Sequence, residues 1–304
     1  MKKPILSIVI ANYNYGRYLE SAIGSVVSQD VGEEVELIVC DAASKDNSVD
    51  IIKKYAHGLP PCTSISKWEV NNEQGSASGR LCPHITWWCS EKDSGQSDAF
   101  NKGFHHANGE WITWLNADDI LMPGCLPKIL KRMAKGNCDW ITGNFLRFNR
   151  SDKRIIEAKW GPHYLPSWMQ GNGWPVAVFG PTTFWRKSIY DWLGDIRNDL
   201  HYSMDTEYWT RMVINGIKQT RLNVTCWAFG MHAESKTAEF DGHECSPEVK
   251  ARQDYERDLR FKLHGYHESR IKVYLTWGWR ILDGSAMTAF WRRVFLVGRK
   301  LAFD

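Results

Sequence analysis

Apolar residues run almost unbroken from Ile5 to Ala11 and again from Val35 to Asp41, with β-branched side chains in both runs. Runs of this kind predict strands covered on both faces, as in parallel sheets. Between them Leu19, Ile23, Val26 and Val27 share one stripe at helical spacing, which predicts a helix over Tyr18 to Ser28. The alternation continues with a helix over Ser48 to Tyr55, capped by Asn47 or Ser48, and a strand over Ile85 to Cys89. A helix over Ser97 to Ala107, capped by Ser97 or Ser94, precedes a strand over Trp111 to Leu115. Pro123 and Gly124 open a helix to Lys135, and Asp139 to Phe145 reads as a further strand. This order predicts an α/β fold: a Rossmann-like, mostly parallel, twisted sheet flanked by helices.

The second half is less regular. Lys153 to Gly180, rich in Trp, Gly and Pro, reads as surface loops, and Leu59 to Ile85 as a loop insertion. Tyr202 to Asn215 predicts a helix beginning near Ser203 or Asp205, Thr220 to Met231 a strand, and Ser246 to Leu263 a charged helix. Right-handed crossovers place the C-terminal ends of parallel strands on one edge, where open α/β sheets bind ligands. Three acidic loops fall there: Asp41 after the second strand, Glu91 to Asp93 after the third, and Asn116 to Asp119 after the fourth. Each alone reads equally well as a turn or a helix cap; together they predict a functional cleft.

The chemistry of that cleft narrows by exclusion. The loop after the first strand is Asn12-Tyr13-Asn14-Tyr15-Gly16, with no G-x-G-x-x-G, no phosphate-loop lysine motif and no G-x-S-x-G elbow anywhere in the chain. The adjacent carboxylates of Asp118 and Asp119 repel each other unless a cation offsets them. A hard divalent ion shared with substrate phosphates fits, and so does an exposed turn whose aspartates cap the next helix. The net charge of +3 is too small to indicate nucleic acid. Sixteen tryptophans suit a core, sugar faces or a membrane interface. Eight cysteines without a C-x-x-C pair predict reduced thiols in a cytoplasmic setting and no zinc site. The start, MKKPILSIVIANYN, predicts a buried strand in place of a signal peptide, because its apolar run is short and no A-x-A site follows.

Ser90 to Gly103 (S-E-K-D-S-G-Q-S-D-A-F-N-K-G) followed by Gly109 to Asp119 (G-E-W-I-T-W-L-N-A-D-D) resembles glycosyltransferase family 2, the inverting family with the GT-A fold. S-I-V-I-A-N-Y-N and D-A-A-S-K-D-N-S, from Asp41, match its opening in order and spacing. Gly180 to Arg186 (G-P-T-T-F-W-R), Met204 to Met212 (M-D-T-E-Y-W-T-R-M) and His232 to Thr237 (H-A-E-S-K-T) resemble its later elements. The resemblance covers roughly residues 4 to 240. It implies a GT-A domain over 1–240, with a nucleotide-sugar half to about 120 and an acceptor half from 121, and leaves 241–304 as a C-terminal helical extension.

The resemblance also implies roles. Asp41 contacts the donor nucleobase, with Asn12 and Asp93 near the same nucleotide. Asp118 contacts the ribose and shares in metal binding, Asp119 ligates a manganese or magnesium ion, and Asp205 is the general base. His232 and Lys236 close over the diphosphate, His232 also as a metal ligand. The donor implied is a nucleoside-diphosphate sugar, UDP-linked by preference, and the acceptor a glycan or lipid-linked glycan in bacterial polysaccharide synthesis. An inverting transfer needs one base to take the acceptor hydroxyl proton, and Asp205 sits at a helix start whose dipole favours the ionised form. Arg211 lies one turn from Glu207 and is expected to pair with it. Asn116, where many relatives carry Asp, and Met204 before the base depart from the pattern. Two other readings share the fold: a binding protein without turnover, and a sugar nucleotidyltransferase.

From Tyr266 on, Arg270, Lys272, Arg280, Arg292, Arg293, Arg299 and Lys300 interleave with Tyr, Trp and Phe. Such a segment suits the surface of an anionic bilayer, here the inner face of a cell membrane, or packing against the catalytic domain or another subunit. No stretch is long enough to span a bilayer.

Overall fold

The computed structural model describes residues 3–56, 85–161, 165–170, 182–236, 246–265 and 269–301. The expected insertion after Leu59, much of the 153–180 stretch, and Gly180, Pro181 and Thr237 of the motifs lie outside the described residues. The first half follows the hydrophobic pattern closely. Strands β1 (Leu6–Asn12), β2 (Val35–Asp41), β3 (Ile85–Ser90) and β4 (Trp111–Asn116) alternate with helices α1 (Gly16–Val27), α2 (Ser48–Ala56) and α3 (Gln96–His106). All four strands pair in parallel in the order β3-β2-β1-β4. A Cβ on Gly103 would lie 2.2 Å from Val9 Cγ1, so this glycine lets α3 lie close on β1.

Beyond Asn116 antiparallel pairs join the parallel ones, so the sheet as a whole is mixed. The further elements are β5 (Ile120–Leu121), α4 (Cys125–Met133), β6 (Trp140–Asn149), β7 (Ile155–Lys159), β8 (Thr183–Arg186), α5 (Lys187–Leu193), α6 (Met204–Ile214) and β9 (Gln219–Met231). Strand β8 sits antiparallel between β4 and β6, β7 pairs antiparallel with β6, and β5 with β9. Among the described residues, β6 and β9 continue the parallel arrangement. Strand β7 lies inside the stretch read as loops. Its short sequence, IIEAK, carries too little alternation to stand out from its Trp- and Gly-rich flanks, and its partner β6 supplies the pairing.

Several tryptophans fill the junction between the two halves. Trp114 stacks on Trp209 at 5.2 Å, Trp140 on Trp209 at 5.9 Å, and Trp185 meets Trp114 edge-on at 5.4 Å. All four are buried, so much of the unusual Trp content is core. The C-terminal stretch forms α7 (Pro247–His264), α8 (Arg270–Leu282) and α9 (Ser285–Leu296). Ser246 caps α7 through Val249 N. Helix α7 packs on α6, and α9 on β7.

Candidate active site

The C-terminal ends of β1 to β4 open into a cavity of about 1020 Å³, at the upper end of small-ligand pockets and large enough for a nucleotide bearing a sugar. Asn12, Asp93, Asn116 and Asp118 line it from the sheet side. Tyr202, Met204 and Asp205 line it from the approach to α6, and Ser235 and Lys236 from the segment after β9. Asn12, Asp93, Asp118, Asp205 and Lys236 therefore meet at one hollow, although they lie up to 224 residues apart in the chain.

Asp41 is placed differently. It is buried, and its carboxylate accepts from Asn12 Nδ2 at 2.7 Å, Ser44 Oγ at 2.5 Å, Ser44 N at 3.0 Å and Ser90 Oγ at 2.6 Å. These bonds tie the ends of β1, β2 and β3 together beneath the pocket. Asn12, which Asp41 holds, is a lining residue of the cavity, and its buried Oδ1 has no partner. An unpaired acceptor in such a place is costly unless a ligand donor meets it. Asp93 accepts from Gly95 N at 2.9 Å, and burial raises its carboxyl above the usual range.

The Asn116–Asp119 turn separates two aspartates that look equivalent in sequence. Asp118 faces the cavity, and its Oδ2 lies 3.1 Å from His232 Nε2. Asp119 has 0 % exposure and is not on the lining. Its Oδ1 accepts from Gly230 N at 2.9 Å and its Oδ2 from Asn116 Nδ2 at 2.7 Å. Asp119, expected as a direct metal ligand, therefore has each oxygen already accepting one hydrogen bond from inside the protein, whereas Asp118 is the aspartate on the lining. Burial, then the Asp118 charge, push its carboxyl well above the usual range. The cation demanded by two adjacent carboxylates is in part the protein's own. The Arg150 guanidinium donates from Nε to the Asp118 carbonyl at 2.9 Å, and it lies over the Tyr18 ring at 4.9 Å. Arg150 opposes the rise at Asp119, while burial lowers its own value. A Cβ on Gly230 would lie 2.4 Å from the Asp118 carbonyl oxygen, so only glycine lets β9 run this close to the turn.

His232 stands just past β9, with Tyr18 and Tyr15 rings at 4.6 and 5.4 Å, and its buried Nδ1 has no partner. For ligand distances of about 2.1 Å, neighbouring positions around an octahedral cation lie about 3.0 Å apart, close to the separation of His232 Nε2 and Asp118 Oδ2. Among the described residues no group of three or more His, Cys, Asp or Glu could hold a metal ion alone. The pair fits a hard cation that takes the rest of its shell from substrate phosphates and water. Gln96 links this corner to the closing segment, donating to Asn116 Oδ1 at 2.8 Å and accepting from Lys236 Nζ at 3.0 Å. Gln96, Arg150 and Tyr18 escape sequence reasoning. Gln96 stood within the S-G-Q-S-D stretch, and nothing near Arg150 in sequence signals its partner.

Asp205 lies in the first turn of α6, half-buried on the pocket wall, and its Oδ1 accepts from Thr206 N at 2.6 Å and Thr206 Oγ1 at 3.1 Å. The helix-dipole expectation is outweighed: burial raises its carboxyl, opposed by those bonds and by the Arg260 charge. A raised aspartate is a stronger base. The approach to α6 is held from the extension. Glu256 of α7, with 0 % exposure, accepts from the backbone N–H groups of His201 (2.7 Å), Tyr202 (2.9 Å) and Ser203 (3.0 Å), and Arg252 Nε also donates to it at 2.8 Å. These bonds lower the Glu256 carboxyl against the opposing effect of burial. Arg211 pairs with Glu207 as expected, at 3.0 Å, and His264 of α7 meets the same carboxylate at 2.8 Å.

The arrangement of a parallel nucleotide-type half, an acidic turn at the end of β4 and a carboxylate at the start of α6 is the GT-A glycosyltransferase fold. The model of the family "Glycosyl transferase family 2" matches residues 7–193, more than half of the chain, and the chain belongs to that family. It is 30% identical over 153 residues to an uncharacterized glycosyltransferase of Nostoc sp., covering 50% of this chain and 40% of that protein. It is 29% identical over 173 residues to the minor teichoic acid biosynthesis protein GgaB of Bacillus subtilis, covering 52% of this chain and 17% of that one. The chain thus spans less than half of either relative. Among solved structures it resembles S. aureus TarS 1-349 in complex with UDP (TM-score 0.54, 15% identity, 74% of this chain and 60% of that chain). It also resembles the mannosyltransferase PcManGT of Pyrobaculum calidifontis in complex with GDP-Man and Mn2+ (TM-score 0.54, 13% identity, 97% and 88%).

Proposed function

We propose that this protein is an inverting glycosyltransferase that moves a sugar from a nucleoside-diphosphate sugar to a glycan or lipid-linked glycan, with Asp205 as the base. The observation that carries the reading is the shared cavity, lined by Asp118, Lys236 and Asp205, with His232 beside Asp118. The unpaired Asn12 Oδ1 and raised Asp93 receive the nucleoside end. Lys236, positioned by Gln96, meets the diphosphate. Asp118 and His232 would hold a divalent cation, which would supply further neutralisation of the leaving diphosphate. Asp205 accepts the proton of the acceptor hydroxyl as that oxygen attacks the anomeric carbon, and the nucleoside diphosphate departs from the opposite face. A UDP-sugar is the first donor to test, because the TarS neighbours are bound to UDP and UDP-GlcNAc.

Thermal-shift titration with UDP and GDP, each with and without manganese, checks the donor half, since a ligand of the folded state raises its melting temperature. Release of free nucleoside diphosphate on adding acceptor checks the reaction. Pyrophosphate as product would point to nucleotidyl transfer, and binding without turnover to a receptor.

A further inference from the structure

Helices α8 and α9 are amphipathic in the wrong sense for a globular protein. Helix faces normally turn their apolar stripe to the core and their polar side to water. Here Ile271, Tyr274, Leu275, Ile281 and Leu282 share one face of α8 at spacings of three, one, six and one, and all are exposed, Tyr274 at 75 % and Leu282 at 81 %. On α9, Met287, Phe290, Trp291, Val294 and Phe295 repeat the pattern at spacings of three, one, three and one, again exposed.

The opposite faces are already occupied. Ala289 and Leu296 pack on the small core cluster that includes Trp160 and Ile155. Arg292 lies over the Trp160 ring at 5.2 Å, and Arg280 donates to the Trp160 carbonyl at 2.8 Å. Beyond α9, Gly298 N bonds Ile155 O and Leu301 is buried, which fixes the helix along β7. The two stripes therefore cannot turn inward without breaking the contacts that hold the helices. An exposed apolar surface of this extent, rimmed by polar residues, marks an interaction site.

Charge selects the partner. Between residues 269 and 301 there are seven Lys and Arg and a single acidic residue, Asp283. Arg270, Arg293, Arg299 and Lys300 are exposed beside the stripes. A second copy seated on this face would set like charges against each other, which is unfavourable. An anionic bilayer offers hydrocarbon for the stripes and negative headgroups for their basic rim. No helix of the described residues is long and apolar enough to cross a membrane, so a bilayer seated on these stripes would hold the helices in its interface plane. We propose that α8 and α9 form an in-plane docking surface for an anionic lipid bilayer, holding the catalytic cavity at the membrane face. The proposal goes beyond glycosyl transfer, because the helices bind lipid whether or not the cavity turns over.

The test is flotation of the full chain with vesicles, in the absence of donor and acceptor. Vesicles of phosphatidylcholine mixed with phosphatidylglycerol should carry the protein upward at low salt, and pure phosphatidylcholine should carry far less. Phe290→Asp with Trp291→Asp should abolish flotation while the melting transition is kept. In case that pair unfolds the protein, Arg293→Gln and Arg299→Gln, at exposed positions, should each weaken binding about fivefold at low salt and less at high salt. Protein left at the bottom with both vesicle types overturns the proposal, as does equal binding to neutral and anionic vesicles. A concentration-dependent dimer lost in the Phe290→Asp variant, with no flotation, assigns the stripes to a second copy and overturns it too.

Discussion

The two walls of the cavity are built by different means. On the sheet side, side chains stand where parallel strands end, so β1, β2, β3 and β4 deliver Asn12, Asp41, Asp93 and Asp118 to one rim by topology alone. Even the buried Asp41 takes two of its bonds from Ser44, three residues on. On the opposite wall Asp205 follows an irregular stretch, and that stretch is fastened by Glu256, 53 to 55 residues away in another helix. A pre-built rim suits a donor that presents the same nucleoside diphosphate each time. A wall hung on a separate helix suits the part of the site that meets the acceptor.

The largest effect should come from Asp205, the proposed base. Asp205→Asn keeps the shape and removes the proton acceptor, so transfer should fall by about 10²–10⁴-fold, while nucleoside diphosphate binding, read by titration calorimetry, stays at the parent value. Stability should move the other way. Burial raises the Asp205 carboxyl, so the folded state binds a proton more tightly than the unfolded chain does, and stability falls as pH climbs from about 3.9 toward the raised value. At neutral pH the Asn variant escapes that cost and should melt higher than the parent. A variant with full turnover would remove Asp205 from the chemistry altogether.

Next in size is the contrast between the two neighbours in the acidic turn. Asp118→Ala should weaken manganese-dependent binding of nucleoside diphosphate by about 10–100-fold and leave the melting temperature of the ligand-free protein nearly unchanged. Asp119→Ala leaves Gly230 N buried without a partner and removes a carboxylate charge that offsets Arg150, so it should cost about 1–3 kcal/mol of stability with or without metal. The reverse outcome, a stable Asp119→Ala that has lost only metal response, would assign direct metal binding to Asp119.

This pair shows how far the sequence can be read. The strand-and-helix alternation up to Leu115 is legible because each element has its own hydrophobic period. The convergence of the acidic loops follows, since parallel strands share an edge. Which of Asp118 and Asp119 faces the ligand depends on Gly230, more than 110 residues later, and on an arginine from the end of β6. Neither contact leaves a local pattern. The mixed strands β7 and β8 were hidden for the same reason: each is short, and each exists because β6 pairs with it. Glu256 reads only as one more charge in a charged helix, and its role appears once α7 lies against the approach to α6.

A smaller effect tests that fastening. Glu256→Ala strips the acceptor from three consecutive backbone N–H groups and should cost about 3 kcal/mol of stability. It should also lower kcat roughly tenfold, in the range of effects from displaced supporting groups, with a smaller change in donor KM, because Glu256 holds the wall that carries Asp205. Glu256→Gln retains one acceptor oxygen and should recover part of the kcat loss. If both variants raised donor KM and left kcat alone, the walls would not be separable in the way proposed. The bonds that hold Glu256 also lower its carboxyl, so its contribution is present above about 4.3, the unfolded value, and is lost as pH falls through the lowered folded value.

The smallest expected effect asks whether α7 also reaches the base electrostatically. Arg260 lies on the same helix as Glu256, and its charge is one of the influences that hold the Asp205 carboxyl down against burial. Arg260→Gln removes that charge without touching the Glu256 bonds. The acid limb of kcat/KM, where Asp205 must lose its proton, should therefore move to higher pH while the plateau rate stays near the parent value. Because Arg260 is partly exposed, salt should shrink the difference between the two profiles. A limb that stays in place at low salt would confine the influence of the extension to the mechanical hold of Glu256, and a fall in the plateau would show that Arg260 positions the wall as well as charging it.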